Sequence, residues 1–130
     1  MSVNKKAIVE EVNDAFRRGD YEAFLTRCTD DVVWAMVGEA PLRGKEAIRQ
    51  SMAQGPQEPP VFTVDTLVGD GDVVVAKGEM TMKEPGSGIE NDYAFCDVWR
   101  FRGDQLASLN AFVIKTSSAP KTATAGSAAR

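Results

Sequence analysis

Asn91-Asp92-Tyr93-Ala94-Phe95-Cys96-Asp97-Val98-Trp99-Arg100-Phe101 is the stretch on which the fold of this chain turns. Tyr93, Phe95, Asp97, Trp99 and Phe101 alternate with smaller or charged residues, and a Gly103-Asp104 turn follows. Period-two alternation places those five side chains on one face of a β-strand. Working outward, Phe62 to Val68, Val73 to Met82 and Gln105 to Lys115 have the same character. They are joined to it and to one another by Gly69-Asp70-Gly71-Asp72, Pro85-Gly86-Ser87-Gly88 and Gly103-Asp104. Such short turn signals connect antiparallel neighbours. The second half of the chain is therefore predicted to be a four-strand meander.

The first half has a different period. Ile8, Val12, Ala15 and Phe16 recur at helical spacing between Asn4 and Arg18, and Gly19 is placed to close that helix in a left-handed cap. Asp20 is placed to cap a second helix carrying Tyr21, Phe24, Leu25 and Cys28. Thr29-Asp30-Asp31 breaks it, and Val32 to Val37 reads as a short strand stopped by Gly38 and Pro41. A third helix is expected over Lys45 to Ala53, with Ala47, Ile48 and Met52 on one side. Gln54 to Pro60 holds three of the six prolines and reads as irregular. Helices set apart from an antiparallel sheet make an α+β domain. Its extent is residues 1–116, and the Ala/Ser/Thr-rich stretch 117–130 reads as a disordered tail.

The chain has 130 residues, 15 Lys+Arg against 19 Asp+Glu, two cysteines and no histidine. A chain this long buries roughly two-thirds of its unfolded surface, enough for a core that needs neither disulfide nor metal. The net charge of −4 and the absence of a basic stripe argue against nucleic acid as a partner. No run of about 18 apolar residues is present, so no membrane partner is expected. Cys28 and Cys96 form no C-x-x-C pair and read as small buried thiols in a reducing cytoplasm. Without histidine, proton chemistry must come from carboxylates, Tyr, Lys or Cys.

Asp97 stands out because its strand face is otherwise aromatic. A carboxylate there is expensive to bury ionised, so its pKa should rise and it should serve as an acid or hydrogen-bond donor. The alternative is a structural Asp97 that bonds a backbone amide or Tyr93, or is reached by Arg100 or another cation. Met80 and Met82 alternate with Lys77, Glu79 and Thr81, and parity puts the methionines inside. A one-residue slip would turn Lys77 and Glu79 inward instead. Asp30-Asp31 reads as a helix end, Gly69 to Asp72 as a hairpin turn, and Glu10-Glu11 and Arg17-Arg18 as solvated helix faces.

Phe16-Arg17-Arg18-Gly19-Asp20, Asp30-Asp31-Val32-Val33-Trp34, and Val37-Gly38 with Pro41-Leu42-Arg43-Gly44-Lys45-Glu46-Ala47-Ile48 resemble the N-terminal half of ketosteroid isomerase and SnoaL-like polyketide cyclases. Those proteins belong to the nuclear transport factor 2-like superfamily. Tyr93 to Phe101 resembles the superfamily's penultimate strand, and the match extends from about Val3 to Lys115. The resemblance implies a cone-shaped half-barrel, with three N-terminal helices on a curved antiparallel sheet. It further implies a mostly apolar pocket at the open end and a homodimer formed through the sheet.

Ketosteroid isomerase works with an Asp base, a Tyr and a protonated Asp. Alignment on Gly19-Asp20 puts Val12 at the Tyr position, and alignment on Asp30-Asp31 puts Met36 or Ala35 at the base. Asp97 alone matches, at the protonated Asp, so steroid isomerisation is not expected. The limonene epoxide hydrolase relay needs an Arg where this chain has Phe95. The expectation is a small-molecule-binding domain for an apolar carbonyl or hydroxyl compound, without metal or organic cofactor. If catalytic, it would run isomerase, cyclase or hydrolyase chemistry. Asp97 and Tyr93 would be its polar groups, and Trp34, Met36, Met80, Phe95, Trp99 and Val12 would border the ligand. The rival expectation is a non-catalytic binding or dimerisation domain whose cone is filled by Trp34, Trp99 and the methionines.

Overall fold

The computed structural model describes residues 4–55, 59–84 and 86–118, with side chains as far as residue 116. The order is α1 (Lys5–Arg18), α2 (Tyr21–Thr26), β1 (Cys28–Met36), β2 (Leu42–Arg43), α3 (Lys45–Ala53), β3 (Val61–Asp70), β4 (Val73–Lys83), β5 (Glu90–Arg102) and β6 (Gln105–Ser118). All strands join one open sheet ordered β2-β1-β6-β5-β4-β3. This is the α+β cone expected from the sequence, and its meander is β3 to β6.

Local chemistry sets the helix ends. Asn4 Oδ1 accepts from the Ala7 amide at 3.1 Å, and Asp20 Oδ1 accepts from the Ala23 amide at 3.2 Å. Gly19, at φ 72°, turns the chain between the two helices. Each cap satisfies amides that have no partner within the helix.

Three expectations need correction. Helix α2 stops at Thr26, and Cys28 opens β1, where it pairs with Leu106 of β6 while Leu106 N donates to Arg27 O at 2.8 Å. An apolar residue here faces the core in either conformation, so helical spacing could not separate them. Asp30 and Asp31 accordingly lie inside β1, both exposed, with Asp30 3.6 Å from Lys45 and Asp31 3.1 Å from Arg102. The sheet is not wholly antiparallel, because β1 runs parallel to β6. Ser117 and Ser118 continue β6 opposite Asp92 and Asn91, and the rest of the expected tail, 119–130, lies outside the described residues, as do 56–58 of the proline-rich loop and Pro85 of the β4–β5 turn.

One face of the sheet carries the core. Val74, Ala76, Trp99, Phe101, Leu106, Leu109 and Ala111 are buried against Ile8, Val9, Val12, Phe24, Leu25 and Ile48. At the narrow end the packing is aromatic: the Phe24 ring lies 4.9 Å from Phe16, 5.5 Å from Trp34 and 5.9 Å from Trp99. At the wide end β3 curls over the concave face. Gly78 permits this, because a Cβ there would collide with the Thr63 carbonyl and sit 3.0 Å from the Phe95 ring. The register shift between Val64 and Thr66 lies directly alongside. Close backbone approach is a common reason for glycine in a strand.

Gly78→Ala is therefore expected to push β3 or Phe95 away and to lower the unfolding free energy by about 1–3 kcal/mol in urea titrations. A variant as stable as the parent would contradict this account of the curl.

Candidate functional site

Between the helices and the wide end of the sheet lies a cavity of about 370 Å³. Its walls are mainly apolar: Trp34 and Met36 from β1, Phe62 from β3, Met80 and Met82 from β4, Phe95 from β5, and Leu109, Ala111 and Val113 from β6. Phe62 and Phe95 meet edge to face, with centroids 6.0 Å apart. The space exists because the concave face is locally small: Asp97 is flanked by Ala76 on β4 and Ala111 on β6, with Gly78 one rung further along. Residues of this size leave room that larger β-formers would fill.

The polar groups on this wall are Asn13 of α1, Tyr21 of α2, Ser51 of α3 and Asp97 of β5. Asp97 is the only carboxyl group among them, and its side chain has no hydrogen-bond or ion-pair partner among the described residues. Neither a backbone amide nor Tyr93 satisfies it, and Arg100 lies exposed on the opposite face of β5. Burial alone pushes the Asp97 pKa up to about 7, because no cation offsets the loss of solvation. A carboxyl that titrates near neutrality in an apolar cavity can donate a proton or hydrogen bond to a ligand oxygen, and its conjugate base can accept one.

Parity holds on β4. Met80 and Met82 line the cavity, while Lys77 points outward to Asp65 at 3.1 Å and Glu79 is exposed. Trp34, Met36 and Phe95 are on the wall. Val12 and Trp99, expected beside the ligand, are instead packed in the core at 1% and 0% exposure. Tyr93 shares the concave face, in register with Met80 and Lys115, but is not part of the cavity wall.

Asn13, Tyr21, Ser51 and Phe62 were not singled out from sequence. Asn13 falls on the buried stripe of α1 with Val9 and Val12, and a polar residue on an apolar stripe is a legible signal. Arg17 also departs from expectation: beyond its pair with Asp14 at 2.8 Å, its guanidinium packs 4.3 Å from the Phe62 ring centroid. It thus covers the outside of a cavity-wall residue through a cation–π contact. Cys28 is buried, its thiol pushed up to about 12, whereas Cys96 is only half-buried on the outer face.

The fold is shared with solved structures of low sequence identity. An NTF2-like protein of unknown function from Burkholderia pseudomallei superposes with a TM-score of 0.78 at 20% identity, covering 84% of this chain and 89% of that one. SalBIII, an epoxide hydrolase/cyclase-like enzyme in pyran ring formation in the polyether salinomycin, gives 0.76 at 19% identity, with the same coverages of 84% and 89%. A candidate SnoaL-like polyketide cyclase from Shewanella putrefaciens gives 0.76 at 14% identity, covering 86% of this chain and 80% of that one. At these identities the similarity is one of fold. No functionally curated sequence matches the chain. The SnoaL-like domain family matches residues 9–109, which span the helices, the aspartate strand and most of the sheet. The protein therefore belongs to the SnoaL-like family, and it has the fold of NTF2-like proteins.

Proposed function

We propose that this protein binds a small apolar carbonyl or hydroxyl compound in the cavity and that Asp97 engages its oxygen as an acid or hydrogen-bond donor. The observation that carries this reading is the unpartnered Asp97 carboxyl on the wall of an apolar cavity of about 370 Å³. Asp97 is half-buried, and a carboxyl without a protein partner that opens on a cavity of ligand size is suited to a ligand. The open cavity also speaks against a cone filled by its own side chains. Asn13, Tyr21 and Ser51 are further hydrogen-bonding groups on the wall. In this role they take the place expected of Tyr93.

If the protein turns its ligand over, the chemistry is isomerase-, cyclase- or hydrolyase-like; of these, cyclase is the description shared by SalBIII and the Shewanella protein. Steroid isomerisation is disfavoured, because Val12 is in the core and Met36 supplies no base. The epoxide hydrolase relay is disfavoured by Phe95, and no second carboxylate and no cation is found among the described wall residues. Binding without turnover is the second reading, favoured by that single carboxyl.

The outer face of the sheet supports a homodimer. Ile114 (65% exposed) and Phe112 (43%) sit opposite Ala94 and Cys96, with Val98 and Val75 alongside. An exposed apolar patch of this kind marks an interaction site. Both cysteines are free, as a reducing cytoplasm would keep them. No helix among the described residues is long and apolar enough to cross a membrane.

Three outcomes are expected. Asp97→Val, which has no donor, should weaken binding of a methyl ketone about tenfold at pH 6, whereas Asp97→Asn keeps a neutral donor and should lose only the fall in affinity that wild type shows as its carboxyl ionises above pH 7. Equal affinity of wild type and Asp97→Val for every carbonyl and hydroxyl compound assayed by calorimetry would end the Asp97 assignment. The folded-state pKa of about 7 lies above the unfolded value near 4, so ionisation inside the fold costs stability progressively from pH 4 to 7 and fully above. Urea unfolding should show Asp97→Asn gaining on wild type over that range by up to roughly 4 kcal/mol, whereas parallel pH profiles would refute the burial argument. Sedimentation equilibrium should find a dimer that Ile114→Lys dissociates, and a monomeric wild type would remove the sheet interface.

A further inference from the structure

Met52, the penultimate residue of α3, lies where three spaces meet. It lines the Asp97 cavity, a chamber of about 230 Å³ below β1 and β2, and a groove of about 390 Å³ between α2 and α3. Among the residues lining these spaces it is the one common to all three. The chamber shares more of its wall with the cavity than the groove does: Trp34, Met36, Ser51 and Met52 each face both sides. Beyond that partition the chamber is apolar, with Leu42 and Ile48, and Glu39 lies at its rim. The groove is polar instead, bordered by Asp20, Glu22 and Arg49.

The side chain, more than the helix, is placed to move. Arg49 bonds Glu22 of α2 at 2.6 and 3.1 Å and Glu46 of its own helix at 2.6 Å. Ile48, fully buried, fixes the inner side of α3. Met52 is only half-buried, and methionine has three rotatable bonds and no branch, so it swings at little cost. Of the other shared side chains, Trp34 is held within the aromatic group by Phe16 and Phe24, Met36 stands on strand β1 where its backbone is paired with Ala111 of β6, and Ser51 is too short to close a passage.

We infer that Met52 is a specificity-determining residue: it separates the Asp97 cavity from the apolar chamber and so sets the length of the apolar tail that a ligand held at Asp97 can carry. The inference rests on the cavity being the ligand site. With Met52 across the partition the ligand ends inside the cavity. With Met52 turned aside or shortened, a longer tail runs on past Trp34 and Met36 toward Leu42 and Ile48.

The test uses the full chain and unbranched methyl ketones of increasing length, with binding read by calorimetry and by the fluorescence of Trp34. In wild type each added methylene should tighten binding about fourfold until the cavity is full, after which affinity levels off. In Met52→Ala the gain should continue for roughly two more methylenes, making the longest ketones about fifteenfold tighter than in wild type. Met52→Leu, which keeps the volume, should level off with wild type. Met52→Val should shift in the same direction as the alanine variant and serves should that variant fail to fold. A plateau at the same length in wild type and in the folded shortened variant overturns the inference. Asp97→Val, which has no donor, should weaken the whole series while leaving the difference in plateau between wild type and Met52→Ala in place. If it weakens nothing while Met52→Ala still lengthens the series, the Asp97 role fails and the partition stands. If wild type binds no ketone, the ligand reading fails, and xenon-pressurised crystals decide the partition. Xenon continuous between cavity and chamber in Met52→Ala but not in wild type supports it, and the same separate sites in both overturn it.

Discussion

The structure depends on how the narrow end of the cone is filled. Trp99 is completely buried there, edge-on to Phe24, and Phe24 in turn packs against Phe16 and Trp34. Aromatic pairs of this geometry contribute about 0.5–1.5 kcal/mol each beyond their area, and these pairs tie α1, α2, β1 and β5 to one point. With the helices anchored at that end, the sheet can only diverge from them at the other. Gly78 lets β3 wrap the divergence, and Ala76 and Ala111 keep its inner wall thin. The cavity is thus the remainder left by good packing elsewhere.

Asp97 shows what that arrangement does to chemistry. It lies two residues from Trp99 on the same strand face, so β5 carries the anchor of the core and the polar group of the cavity together. A rigid strand fixes the carboxyl, while the apolar walls deprive it of solvent and of counter-ions. The result is a group poised between its neutral and charged forms near neutral pH, obtained without histidine and with no second carboxylate among the described wall residues. A chain lacking the usual neutral-range base can still hold a titrating group through burial alone.

Much of this was legible in the chain itself. Alternation from Tyr93 to Phe101, the caps at Gly19 and Asp20, and helix α3 are local patterns, and local patterns survive folding. The inward parity of Met80 and Met82 followed from the same rule. What could not be read were features that depend on distant partners. Cys28 is strand because β6 runs beside it, β2 is two residues held by β1, and Gly78 is required only because Thr63 crosses over it. Likewise, Val12 and Trp99 share faces with cavity residues yet lie too deep to reach the space, and Asn13, Tyr21 and Ser51 reach it from three separate helices. Depth along the cone is a tertiary coordinate that a one-dimensional period does not encode.

Asp97 sits in the cavity without a partner among the described residues and titrates near neutrality. A carbon-13 NMR titration of the aspartate side-chain carboxyls, with Asp97 assigned by its absence in Asp97→Asn, measures this directly. A midpoint near pH 7 in the ligand-free protein is the predicted result. A midpoint near pH 4, the ordinary value for a solvated or paired aspartate, would contradict the account.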